Sequence, residues 1–497
     1  MGLLSACGAV EAEPCATASD FAATTASEVV YVSAACSGGD GSLAHPYSTL
    51  SAAIAAARPG ATVLAAKGTY AEHLTIDKSL RIVGPSDAAM ERGIILQVPA
   101  PPSAAIILKV PRPDDLGIIL KAPKPEAAVH ITSGEVVLEG LAVQSSQVSG
   151  VQVSGGKVTL RRVRIDGTRA DAQGKFGDAV LATGGATITL ENVAAVGAAR
   201  YGVAAVGAEV IAAGCLISGN GAGGMRVEDN PLGTSALTAT ELRDNRVAGV
   251  AAFSSRGIIL QYNAIVGTTA AAGDALGLAD GLVVGALSGS PASVGDVRLG
   301  VGNEVRGNAR VGVLVAAGGR SALTDARIEG NALGGVWLQD VAGTTTRLER
   351  LTVVDNGLMG VAVTLGAKAE LTDCTISKTR LVNAFQGASL VSVGDGVGVL
   401  AGASVALKGG TVSGNGRAGV LFDGAAGGGA STVTGAVVRE NRVGIILQHP
   451  RPEGAATVSA DAKVSANVEK DVDVVAEESK AYGVSDAAKK GLAATAP

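Results

Sequence analysis

The sequence predicts an all-β fold, a right-handed three-sided parallel β-helix (solenoid) with a short N-terminal capping helix. Three observations carry this: a corner motif that recurs at a fixed spacing, a composition suited to thin stacked layers, and a run of helix and strand signals at the N-terminal end. In the corner motif, Asn220 precedes Gly224-Met225, Asn245 precedes Gly249-Val250 and Asn308 precedes Gly312-Val313. Asn331 precedes Gly335-Val336, Asn356 precedes Gly360-Val361, Asn415 precedes Gly419-Val420, and Asn441 precedes Gly444-Ile445 with one residue fewer. Uninterrupted neighbours in this series are 25, 23, 25 and 26 residues apart. That spacing matches one turn of a three-sided β-helix and is too short for a propeller blade, while the consensus of leucine-rich repeats is missing. Asn on successive coils, stacked about 4.8 Å apart, can hydrogen-bond to its copies above and below. The Gly that follows relieves a left-handed or crowded turn. Alternation in Gly-Val-Leu-Val (312–315) and Gly-Val-Ala-Val (360–363) sends side chains alternately into and out of the tube.

Composition agrees. The 497 residues include 70 Gly but only 1 Trp, 6 Tyr and 5 Phe. A compact domain of this length draws on more large side chains, whereas layers of Val, Leu, Ile and Ala need few. The expected organisation is a leader and flexible tether (1–28), a cap with the first coils (29–92), a 12-residue repeat region (93–128), the β-helix (129–463) and a C-terminal cap or tail (464–497). About a dozen coils would make a rod roughly 60 Å long. The net charge of −5 comes from interspersed acids and bases, which argues against a nucleic-acid surface. No apolar run reaches the length of a membrane span.

At the start, Leu4-Ser5-Ala6-Cys7 resembles a bacterial lipobox, which implies lipidation of Cys7. Six residues cannot hold the charged and apolar regions of a signal peptide. Either the true start lies upstream or the match is chance. The chain is expected to be exported, at the cell envelope or outer surface, touching membrane only through that lipid. Such a compartment lets Cys15 and Cys36 pair, while Cys215 and Cys374 read as buried fillers.

The segment from Val30-Tyr31-Val32-Ser33 through His45-Pro46-Tyr47-Ser48-Thr49-Leu50, Pro59-Gly60 and Gly68-Thr69-Tyr70 to Glu72 resembles the opening of bacterial pectate-lyase-like β-helix proteins. In it Ser48 is a candidate N-cap, Leu50, Ile54 and Ala57 share a helical face, and Pro59-Gly60 stops the helix. A helix there would cover the open end of the first coil. Tyr70 and Glu72 could hold a ligand, but bracing of that coil is the simpler role.

Three insertions, Thr168–Phe176, Thr268–Leu278 and Thr379–Val393, rejoin the helix at Asp178, Asp280 and Asp395. They should leave one edge of the rod, four or five coils apart, with each Asp a turn residue replacing Asn. A second oddity is a 12-residue repeat: Ile-Ile-Leu segments followed by Pro99-Ala100-Pro101, Pro111-Arg112-Pro113 and Pro123-Lys124-Pro125, echoed at Pro450-Arg451-Pro452. These basic tips are either short polyproline segments shown to a protein partner or padding left by duplication.

The resemblance implies a site of clustered carboxylates, with calcium in lyases or with His-Gly and Arg-x-Lys in polygalacturonases. The four histidines, His45, His73, His130 and His449, include none before Gly in the central coils, and no acid cluster is legible. No catalytic residue, metal ligand or cofactor is therefore nominated; calcium enters only with the enzyme alternative. The candidate carbohydrate contacts are Trp337, Tyr201, Tyr262 and Arg310. The sequence thus favours a structural, adhesive or binding module with a protein or surface polysaccharide as partner. The competing class is a polysaccharide lyase or glycoside hydrolase. End-to-end stacking into filaments is a third reading.

Overall fold

In a computed structural model, the structure describes residues 15–85, 118–121, 126–144, 146–230, 233–274, 277–286, 296–339, 345–386, 389–424, 430–448 and 456–475. Cys7 and the four Pro-x-Pro tips lie outside the described residues.

Among the described residues three parallel sheets run the length of a rod, with 16, 15 and 15 strands in sheets A, B and C, and Val382–Gln386 of the third insertion adds an antiparallel strand to sheet C. One coil shows the order. Lys157–Arg161 lies in sheet A, Arg164–Asp166 in sheet B and Asp178–Ala182 in sheet C; the chain then returns to sheet A at Thr187–Glu191. Register is exact from coil to coil, as in Val158↔Ile188 and Leu160↔Leu190. Apolar side chains therefore stack on apolar ones, and a continuous file through Leu138, Leu160, Leu190, Ala212, Leu237 and Leu260 is buried. Burial of each such Leu contributes about 1.5–3 kcal/mol. Val, Leu, Ile and Ala fill most of these layers, and the rings of Tyr70 and Phe422 are the largest side chains buried among them. Fifteen strands in sheet B make the rod roughly 70 Å long. This exceeds the dozen coils expected, because the first coils lack the Asn signature and sheet C continues through Lys470–Val475, past the expected boundary at 463.

Each corner has its own chemistry. Between sheets A and B a single left-handed residue makes the bend, as at Arg162 (φ 49°), Asn192 (φ 55°) and Tyr262 (φ 56°). Between B and C a left-handed residue, such as Gly219, Asp244 or Gly330, comes directly before the Asn. Asn220, Asn245, Asn308, Asn331, Asn356, Asn415 and Asn441 all lie inside this corner. Asn308 Nδ2 donates to Asn331 Oδ1 at 2.8 Å, and Asn331 Nδ2 to Asn356 Oδ1 at 2.8 Å. Asn220 and Asn245 are linked in the same way, as are Asn415, Asn441 and Asn467. The Gly opening the next strand is there for space. A Cβ on Gly312 would sit 2.7 Å from Asn331 Nδ2 and 2.7 Å from Ile328 Cγ2.

At the N-terminal end the helix Leu50–Ala56 covers the first coil with Leu50, Ala53 and Ile54. Its N-cap is Thr49, whose hydroxyl accepts from Ala52 N, and not Ser48. Glu72 braces the helix directly: its carboxylate accepts from the N–H groups of Leu50 and Ser51 at 2.9 Å each. Buried Tyr70 donates to Ala66 O at 2.9 Å. A disulfide joins Cys15 to Cys36. Ala16 and Phe21 are buried with Leu64 and Val83 of sheet A, so from residue 15 the expected tether is docked on the body. Cys215 and Cys374 are buried, and burial pushes both thiols up to about 11.

The Ile-Ile-Leu segments do not occupy equivalent places. Ile118–Lys121 is in sheet B, Ile258–Gln261 in sheet A and Val443–Gln448 in sheet C. The motif suits any buried strand, and its recurrence is out of phase with the coil.

Candidate binding site on the outer face of sheet C

All three insertions leave at the corner between sheets B and C, immediately after Thr168, Thr268 and Thr379, residues that take the Asn position. They return at the head of a sheet C strand. The strands beginning Asp178 and Ala279 are separated by those beginning Tyr201, Gly223 and Val247; three more, beginning Val311, Gly334 and Leu358, separate Ala279 from Ser389–Leu400. The insertions are therefore four coils apart.

The re-entry carboxylates are not turn residues. Asp178, Asp280 and Asp395 are all but fully buried. Each meets an Arg from the next coil and the backbone N–H just after that Arg. Asp395 accepts from Arg417 Nε at 2.8 Å, Arg417 Nη2 at 2.5 Å and Ala418 N at 3.1 Å. Asp280 accepts from Arg310 Nε at 2.7 Å, from Arg310 Nη2 and from Val311 N at 3.1 Å. Asp178 accepts from Tyr201 N at 3.1 Å and faces Arg200 Nε at 3.5 Å. The Thr at each insertion keeps a corner bond to a neighbouring coil, as from Thr268 N to Asn308 Oδ1 and from Thr379 N to Asn415 Oδ1 at 3.0 Å each, and the buried ion pair adds a second tie where the loop returns. Burial raises the carboxyls of Asp178 and Asp280 above the ordinary range, against the pull of Arg200 and Arg310.

Between the first two insertions the outer face of sheet C holds a cleft of about 210 Å³. Register sets its floor, because Arg226, Ala251, Val283 and Leu314 follow one another in a single file across successive strands. Tyr201 and Phe253 flank Arg226, whose guanidinium carbon lies 5.6 and 6.0 Å from the two ring centroids. Leu278 of the second insertion and the Asp280–Arg310 pair close the far side. The walls are mainly apolar, with the guanidinium groups as the polar features.

Of the four candidate carbohydrate contacts, Tyr201 and Arg310 line this cleft. Trp337 continues the same file, one strand past Leu314. It is only 5% exposed, however, and its indole covers Gly334. Tyr262 sits on a different corner, between sheets A and B, with its ring against Gly302. Arg226 and Phe253 carry no signal of their own in the sequence. Aligning coils on the Gly-Val step would have placed Arg226 in the file with Ala251 and Trp337. Among the described residues no three His, Cys, Asp or Glu side chains converge to hold a metal ion.

The family model for a right-handed β-helix region matches residues 124–275 and 300–468. The chain belongs to that family. No curated protein matches it. Solved structures to which it is similar include the A-module of mannuronan C-5 epimerase AlgE6 from Azotobacter vinelandii, with 16% identity over 83% of this chain and 93% of that one, at a TM-score of 0.42. The Dettilon tailspike shares 13% identity over 90% of this chain and 68% of its own, at 0.38. The catalytic unit of a thermostable α-1,3-glucanase from Streptomyces thermodiastaticus shares 16% over 91% and 71%, at 0.36.

Proposed function

We propose that the chain is an exported β-helix scaffold of the cell envelope, anchored through Cys7, that binds a surface polysaccharide along the outer face of sheet C. The carrying observation is how the carboxylates on that face are used. Asp178 is fully buried, with Oδ1 on Tyr201 N and Arg200 and Oδ2 without a partner, while Asp280 and Asp395 have both oxygens engaged by arginine and backbone donors. A carboxylate held in this way is a poor general base or metal ligand. What is left is the stretch of that face between the first two insertions, because from Leu314 the outward file through Trp337, Ala362 and Leu421 is buried; loops on rigid scaffolds often carry recognition. In this reading the protein works without cofactor or calcium and does not bind nucleic acid. The Pro-x-Pro tips add a protein contact.

The test is to present the full chain with immobilised acidic and neutral polysaccharides and to assay the same polymers for release of unsaturated or reducing ends, with and without calcium. Retention without turnover is expected. Turnover on any polymer would establish the competing lyase or hydrolase reading. Deleting 98–104 and 110–116 should abolish capture of a protein partner; unchanged capture would mean that the tips are padding.

A further inference from the structure

We propose that the cleft between Tyr201, Arg226 and Arg310 is a receptor site for a small apolar monocarboxylate, an aromatic or branched-chain acid. The cleft lies on the same face of sheet C as the proposed polymer surface; acid binding and polymer retention are measured separately, so either can fail without the other.

Size comes first. At about 210 Å³ the cleft is somewhat larger than an apolar cavity of about 150 Å³ that holds benzene. That is room for one six-membered ring with a short substituent. The lining decides against a bare sugar. Val247, Ala248, Ala251, Val283 and Leu314 contribute only carbon from their side chains, and a ring covered in hydroxyls would bury several of them without partners. An aromatic or aliphatic body loses nothing there and gains from leaving water.

The polar end decides the head group. Arg310 spends Nε and Nη2 on Asp280, yet its Nη1 is buried and has no hydrogen-bond partner. The side chain is 6% exposed. Arg226 gives Nη2 to Glu228 and approaches the Tyr201 hydroxyl at 3.5 Å through Nη1, while its buried Nε has no partner. Both unfilled groups are donors sealed from water as the chain stands; a ligand reaches them only if side chains at the cleft shift to admit it, and it must then supply acceptors. Hydrogen bonds from guanidinium to carboxylate are the stronger and shorter kind. The acids nearby do not oppose one: Asp280 turns its oxygens to Arg310 and Val311 N, Glu228 is held by Arg226, and Asp178 faces Arg200.

The experiment is calorimetric titration of the full chain with benzoate and with 3-methylbutanoate. Methyl benzoate serves as the uncharged control and glucuronate as the hydroxylated one. Both acids should bind, with methyl benzoate and glucuronate at least tenfold weaker. Ala251→Leu fills the floor of the cleft and Arg226→Gln removes one donor; each should weaken benzoate at least tenfold. If Ala251→Leu fails to fold by circular dichroism, Arg226→Gln decides alone. Absence of binding by both acids, equal binding of glucuronate, or unchanged affinity in a folded variant would overturn the proposal.

Discussion

Two buried aspartates in the same structural position should behave differently. Asp395 is chelated by Arg417, whose side chain is 4% exposed, whereas Asp178 faces the more open Arg200, 28% exposed, and its Oδ2 has no partner. Asp395→Asn leaves a buried guanidinium without its counter-charge and should destabilise the fold by roughly 3–5 kcal/mol at pH 7. Asp178 has its carboxyl raised, chiefly by burial. Its favourable contribution is therefore present below the unfolded value of about 3.9 and is lost as pH rises through the folded value. Asp178→Asn should thus be at least as stable as the parent at pH 7, with the gap closing by pH 4. Urea titrations at the two pH values measure this, and a large loss at pH 7 would contradict it. The sequence showed these aspartates but not their partners, because an Arg 22 or 30 residues downstream becomes a neighbour only once the coil is closed.

Among the elements, the corners were the most legible part and the cleft the least. An Asn corner is local: a left-handed residue, an Asn, a few residues and a Gly, all within one short window. The register that assembles Tyr201, Arg226 and Phe253 depends on insertions of unequal length, which hide the period. The glycines at the corner give a sharp test. Gly330 has φ +64° and open space, with nothing within 4 Å of where a Cβ would lie, whereas the space beside Gly312 is filled by Asn331 and Ile328. Gly330→Ala should cost about 1–2 kcal/mol and Gly312→Ala about 3 kcal/mol, by overpacking. Thermal unfolding would rank them, and the reverse order would mean that backbone conformation outweighs crowding. The helix cap lies one residue from its expected place, at Thr49 and not Ser48. Its strongest brace, Glu72, lies over twenty residues downstream, where no capping rule looks.

For the whole molecule, each coil touches only its neighbours, so stability is close to a sum of coils and interfaces. The disulfide sits at one end, with Cys15 and Cys36 separated by 21 residues. Its reduction should cost roughly 3 kcal/mol by loop-closure entropy. The loss should fall on the N-terminal coils, seen by hydrogen exchange as faster opening around Val29–Val32 with protection of the central coils unchanged. Uniform loss along the rod would show that it unfolds as one unit.

The even placement of the insertions has a consequence for how such a chain can change over generations. Four coils at about 4.8 Å put neighbouring insertions about 19 Å apart. Gene-level duplication or loss of one coil alters that gap in whole steps and leaves every corner intact. The rod is therefore a ruler with fixed graduations. A lineage could retune the reach between its loops by copying a unit of some two dozen residues, with no new side-chain chemistry to invent.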